Sequence, residues 1–228
     1  MSPLFLIPKR MNIIVLICMV SLGPRQQCLN PQRSLQTAPE SKPQTPNPCL
    51  LPVIKTPTTL SGGEYSDLAG GSDTRTHHKV LFTHPSMLAQ LVILDPALSI
   101  STPEWIWLST GIRAVDHCVE ALCSLNSKAG PETDKVLTAG LELLVPSLPL
   151  IKRIWEDEKA RLDSMLGVVE SMKGISSGLP MGGSHGIGYQ LGPLGVGHGE
   201  TSCIMLPAAL EITHDMATTK SEHGSNKS

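Results

Sequence analysis

The stretch Thr110-Gly-Ile-Arg-Ala-Val-Asp-His-Cys-Val-Glu-Ala-Leu122 reads as a helix. Val115, Val119 and Leu122 recur at a period near 3.6 residues along Ala114–Leu125, giving one apolar face. The helix carries His117, with Glu120 one turn on. A second stretch qualifies this reading: Gly182-Gly-Ser-His-Gly-Ile-Gly-Tyr-Gln-Leu-Gly-Pro-Leu-Gly-Val-Gly-His-Gly-Glu-Thr-Ser-Cys-Ile-Met-Leu-Pro207. Here His185 and His198 sit where nearly every second or third residue is glycine. Glycine gives the backbone access to positive φ and lets it approach a ligand closely. The run is poor helix and poor strand, which predicts a loop–helix–loop wrapped around a site. A mobile Gly-rich loop with two incidental histidines is the plainer alternative.

Working outward, the pattern is helical from Glu104 onward. Ser101-Thr102-Pro103-Glu104 has the make-up of a helix start, with a hydroxyl cap and proline in the first turn. Thr133–Val145 predicts a second helix ended by Pro146, and Leu150–Met172 predicts one helix or two. The charged run Glu156-Asp-Glu-Lys-Ala-Arg161 reads as a solvated side, and the polar tail from Thr218 as a frayed end. Towards the N-terminus, Leu50–Ile54, His77–Phe82 and Leu91–Leu94 read as short strands, the last ended by Asp95-Pro96. Between the first two lies Thr58–Ser66, whose hydroxyls, amides and glycines are the materials of a phosphate-cradling turn. Taken alone, an ordinary Ser/Gly turn looks the same.

Several of these segments, in this order, resemble the iron-containing alcohol dehydrogenase family, nearest its maleylacetate reductase branch. Thr110–Leu122 carries the resemblance, with Ser184-His185-Gly186, Gly197-His198-Gly199 and Leu206-Pro207 after it. Upstream, Pro57-Thr58-Thr59-Leu60-Ser61-Gly62-Gly63-Glu64 is similar to the family's nucleotide loop, and Leu94-Asp95-Pro96 with Thr102-Pro103 to its interdomain passage. The match covers roughly residues 51–211. It implies an α/β plus all-α fold of dehydroquinate synthase-like architecture: a remnant of a Rossmann-like dinucleotide-binding domain at 48–100, then an incomplete helical domain at 101–217. Residues 1–47 form a segment unlike the family, and 218–228 a polar tail. Members of the family are considerably longer, so the resemblance implies a chain truncated at both ends.

The family resemblance also implies site residues. His117, His185 and His198 take the places of three histidines that hold Fe²⁺ or Zn²⁺. The fourth ligand is an acid one turn before the first histidine, where this chain has Arg113. A guanidinium is a permanent cation and no ligand. Asp116 does not replace the acid simply, because adjacent helical residues point about 100° apart. Arg113 suits a carboxylate clamp instead, and implies a site that works without metal. Tyr189 stands where the family commonly has a histidine placed for proton transfer, and its hydroxyl can donate a proton. Thr58, Thr59 and Ser61 take the cofactor-binding places for NAD(P), although the diphosphate loop that normally precedes them is missing. The implied function is NAD(P)H-dependent reduction of a small carbonyl or enone, possibly carboxylate-bearing substrate. The alternative is a non-catalytic paralogue that acts by pairing, and the missing diphosphate turn implies weak activity for this chain alone. Helical faces at 136–145 and 162–172 would then lie open.

Composition sets outer limits. A net charge of −2 over 228 residues gives nucleic acid nothing to bind, and the partner expected is a small molecule, with a homo-oligomer compatible. Six cysteines without a CxxC or regular framework read as reduced thiols of a cytoplasmic protein. Lys9-Arg10 before the apolar run 11–22 resembles a signal-peptide core, leaving secretion as a minority reading. The same run is too short to span a bilayer, and its Ile-Ile-Val-Leu-Ile would equally suit a buried strand.

Overall fold

The computed structural model describes residues 14–16, 52–73, 75, 78–83, 87–124 and 130–225. Strands come first and helices after. β1 (Ile14–Leu16) and β2 (Ile54–Lys55) flank β5 (Leu91–Leu94) in a three-stranded sheet, with β1 antiparallel and β2 parallel to β5. β3 (Leu68–Asp73) and β4 (His78–Thr83) form a separate antiparallel pair in which Leu68 faces Thr83. The strands expected at Leu91–Leu94 and around His78 are present. Ile14–Leu16 is a strand, antiparallel to β5; the rest of the signal-like run lies outside the described residues. No helix among the described residues is long and apolar enough to cross a membrane.

Asp95 ends β5 and begins the short α1 (Pro96–Ser99), its carboxylate accepting the Leu98 amide at 2.9 Å. α2 (Glu104–Leu122) follows, and its start corrects the sequence expectation. No side chain caps it, and the Thr102 hydroxyl instead donates to the Thr58 carbonyl at 2.6 Å. The candidate cap thus ties the upstream loop to the helices. A second correction concerns α3 (Pro131–Arg153), which runs through Pro146 and Pro149 rather than stopping. Each proline removes one helical hydrogen bond, freeing the carbonyls of Glu142 and Val145. Glu142, Val145, Pro146 and Pro149 are all exposed, so water can satisfy what the prolines leave. Residues 154–157 break the helix, and Asp157 caps α4 (Glu158–Ile175) through the Ala160 amide at 2.9 Å. α5 (Gly183–Leu191) and α6 (His198–Ser225) complete the chain. The backbone of α6 is helical to Ser225, where a frayed tail from 218 was expected.

The core lies among α2, α3 and α4. Trp107, Ala114, Cys118 and Ala121 of α2 are buried against Leu137, Leu144 and Leu148 of α3 and Met165, Val168 and Met172 of α4. Val115 and Leu122, expected as the core face of α2, only flank this cluster. Small residues line the contact instead. At Gly140 a Cβ would sit 3.2 Å from both the Gly167 carbonyl oxygen and the Ser171 nitrogen, so α3 and α4 meet at backbone distance. The faces expected to lie open at 136–145 and 162–172 therefore close on each other. Cys118 behaves as a core hydrophobe, with burial pushing its thiol up to about 11.

The run 156–161 is no simple wet face. Arg161 is fully buried, its guanidinium 4.0 Å from the Trp155 ring and 4.7 Å from the Trp107 ring. It donates to the Trp155 carbonyl and to both the carbonyl and hydroxyl of Ser99. One side chain thereby joins α1, α2 and α4, with cation–π contacts in place of a carboxylate.

Candidate functional site

α2 has a second buried face, and it is polar. Arg113, Asp116 and Glu120 recur at helical spacing and all lie below a tenth exposed, although their charges oppose burial. Their partners come from α5 and α6, although Arg113 Nε and Asp116 Oδ1 have none among the described residues. Glu120 receives the N-terminal amides of α5: Gly182 N at 2.9 Å, Ser184 N at 2.6 Å and, more weakly, His185 N at 3.4 Å. A carboxylate here meets unpaired N–H groups and the positive end of the helix dipole. The same carboxylate lies 2.6 Å from His185 Nδ1. Asp116, also 3.3 Å from that nitrogen, accepts the Ser184 hydroxyl at 2.7 Å. These anchors explain how a glycine-rich segment becomes helix.

The first histidine stacks on the second. The rings of His117 and His185 lie 4.8 Å apart at 27°, as the order of the motifs requires. His117 is held well below the ordinary imidazole pKa, first by burial and then by His185, Arg113 and His198. His198 begins α6 with an exposed side chain, and its carbonyl accepts from Arg113 Nη1 at 3.2 Å. The same nitrogen reaches the Ser202 hydroxyl at 3.1 Å and Thr201 Oγ1 at 3.3 Å, so Arg113 pins the first turn of α6 to α2. Burial lowers the Arg113 pKa, while Asp116, Tyr189 and Glu120 oppose that shift. Tyr189 lies half-buried on α5, one turn after His185.

The loop at Thr58–Ser61 rests against the same helix. Thr110 Oγ1 accepts the Leu60 amide at 3.0 Å, one turn before Arg113, and Leu60 itself is buried. Thr59 and Ser61 bond each other through their hydroxyls at 3.3 Å, and Gly62 turns the chain with φ of 76°. The residues read from sequence thus fall into two groups on one helix. His117, His185, Arg113 and His198 are brought together, and Thr58, Thr59 and Ser61 are tied one turn away. Missed were the carboxylates beneath the histidines. Their signal was present as Asp116 and Glu120 at i, i+4 on the histidine's own helix. The partner of Asp116, Ser184, lies 68 residues further along the chain, beyond the reach of any local pattern.

Two features bear on the metal that the resemblance implies. Asp116, Glu120 and His185 offer ligand atoms within 4.8 Å of one another. Yet Glu120 lies at hydrogen-bond distance from a ring nitrogen and three amides, and Asp116 from a serine hydroxyl. Where an anionic ligand is expected, a buried guanidinium stands and raises the positive potential at His117. With its carboxylates so engaged and a fixed cation beside it, this cluster does not fit a divalent metal. Arg113 differs from the expected clamp as well, since its Nη1 is engaged by α6.

Residues 107–225 match the Fe-containing alcohol dehydrogenase family, C-terminal. The chain is 47% identical over 175 residues to the "Dehydrogenase ALT3" of Alternaria alternata, covering 72% of this chain and 45% of the relative. Among solved structures, the maleylacetate reductase of Rhizobium sp. strain MTP-10005 aligns with a TM-score of 0.60 at 27% identity, over 68% of this chain and 43% of that one. The sulfoacetaldehyde reductase of Bifidobacterium kashiwanohense, solved in complex with NAD⁺, aligns with a TM-score of 0.60 at 25% identity, over 67% and 40%. The chain spans under half the length of these proteins.

Proposed function

The chain belongs to the iron-containing alcohol dehydrogenase family, and on that premise we propose that it forms the substrate-binding face of an NAD(P)H-dependent reductase. The substrate is a small carbonyl or enone compound. The observation that carries this reading is the stacked His117–His185 pair beside the buried Arg113. The buried imidazole of His117, held well below its ordinary pKa beside a fixed cation, suits an oxygen that gains negative charge during reaction.

NAD(P)H, when bound, supplies the hydride, and Thr58, Thr59 and Ser61 would hold it through their hydroxyls and the Gly62 turn. The remaining work falls to the chain's own side chains. His117 lies beside the substrate oxygen, and His185 Nε2 accepts from the hydroxyl that the reduction forms. As hydride reaches the electrophilic carbon, the π pair moves onto that oxygen. The Tyr189 hydroxyl gives it a proton, while the positive field of Arg113 stabilises the charge in transit. No step passes through a metal, since the residues do not fit one.

The test is nicotinamide fluorescence titration with a reductase assay on maleylacetate-like substrates. Turnover that falls about a hundredfold or more in Tyr189→Phe is expected, the usual size of a general-acid contribution. Turnover unaffected by Tyr189→Phe would contradict the assignment. A second reading, a non-catalytic chain that acts by pairing, is favoured by the apolar side chains that α5, α6 and their link expose. Leu194 is 79% exposed, Ile212 62% and Ile204 56%. Absence of cofactor binding together with concentration-dependent self-association would favour it.

A further inference from the structure

We propose that Glu120 is a positioning residue that acts through His185, fixing its ring so that a bare, accepting Nε2 is presented to a hydroxyl of the bound substrate or of the alcohol it becomes. The inference deepens the reductase reading and rests on it for the identity of the hydroxyl that donates to Nε2. Its geometry stands alone. A carboxylate can only accept, so the 2.6 Å approach of Glu120 Oε2 to Nδ1 requires the proton on Nδ1. Nε2 is then the bare nitrogen of a ring only 4% exposed, and it has no hydrogen-bond partner among the described residues. A buried polar atom left unpaired in this way marks a place where another molecule's group belongs.

The same carboxylate binds the first amides of α5, so the helix and the ring it carries are oriented by one group. Asp116 supports this from the other side through Ser184. Rotation of the ring would cost the Nδ1 bond, and movement of α5 would cost the amide bonds. Glu120 thus couples the aim of Nε2 to the seating of α5.

The test is ¹⁵N NMR of His185 in the full chain, assigned by its loss in His185→Gln. In the wild type, above the ring's titration, Nδ1 should resonate as a protonated, pyrrole-type nitrogen and Nε2 as a bare, pyridine-type one. Glu120→Ala should exchange the two or average them, while Ser184→Ala, which loosens α5 without touching Nδ1, should leave them in place. A wild-type ring protonated on Nε2 and bare on Nδ1 overturns the proposal, whatever the variants do. So does an unchanged pattern in Glu120→Ala with α5 amides still protected from exchange, since Asp116, 3.3 Å from the same nitrogen, would then set the ring and Glu120 would be a helix cap only. The readout needs no catalysis: a protein that reduces nothing but shows the expected tautomer sinks the reductase reading and leaves this one.

Discussion

At the scale of single residues, the site is defined by charges held without water. His117 is depressed, so the unfolded chain binds a proton that the native state refuses. Stability from this group is therefore complete above the ordinary histidine pKa of 6.5 and is lost progressively as pH falls below it. Glu120 acts in a lower window. Burial raises its pKa, but the His185 hydrogen bond and charge and the Ser184 and Gly182 amides outweigh this and leave it lowered. Its contribution is present above 4.5 and lost as pH falls through its depressed value. Urea unfolding between pH 7.5 and 5.5 should show a decline that His117→Phe flattens. An equal decline in that variant would place the linkage elsewhere. Arg161 gives the second residue-scale prediction. Lysine cannot reproduce a flat guanidinium between two indoles, so Arg161→Lys should lose more than about 2 kcal/mol, the range for hydrogen bonds to charged groups. Unfolding within about 0.5 kcal/mol of wild type, the usual scatter of neutral surface changes, would contradict the sandwich. Arg161 could not be placed from sequence alone. A charged run looks solvated until Trp107 and Trp155, far from each other along the chain, are known to meet.

Among the elements, glycine acts differently from the role the sequence suggested. The run 182–199 suggests glycine for ligand approach, whereas Gly188 and Gly199 serve the close approach of helices. A Cβ at Gly199 would stand 2.8 Å from the carbonyl carbon of Ser109 and the nitrogen of Thr110, both backbone atoms. α6 starts directly on α2, and Arg113 fastens it there. Gly199→Ala should therefore displace α6 and cost about 1–3 kcal/mol, the usual range for overpacking. It should also disturb His198 more than His185 in NMR spectra. A variant as stable as the parent, with its histidine signals unmoved, would mean that the contact relaxes freely. Helix existence was legible wherever an apolar period was long, as in α2 and α4. Ends were less so: Pro146 looked like a stop because water's access to the freed carbonyls depends on which face of α3 is exposed. Tertiary anchoring by Glu120 and Asp116 overrode poor local propensity in α5, and no local pattern foretells that.

For the whole molecule, order along the chain was the strongest signal. Motifs from Thr58 to Pro207 pointed to a family, and the match at residues 107–225 with the aligned reductase structures agrees. The meeting of His117 and His185 followed from that order, while their supporting acids needed coordinates. The central claim is that this chain has exchanged the family's metal-binding charge balance for a cation-lined site built on Arg113. Elemental analysis of the purified full chain tests it most directly, with iron and zinc offered at equimolar amounts before desalting. The account predicts no stoichiometric iron or zinc in the wild type, and measurable retention in Arg113→Asp, which restores an acid one turn before His117. One tightly held metal per wild-type chain, lost in His185→Ala, would contradict it.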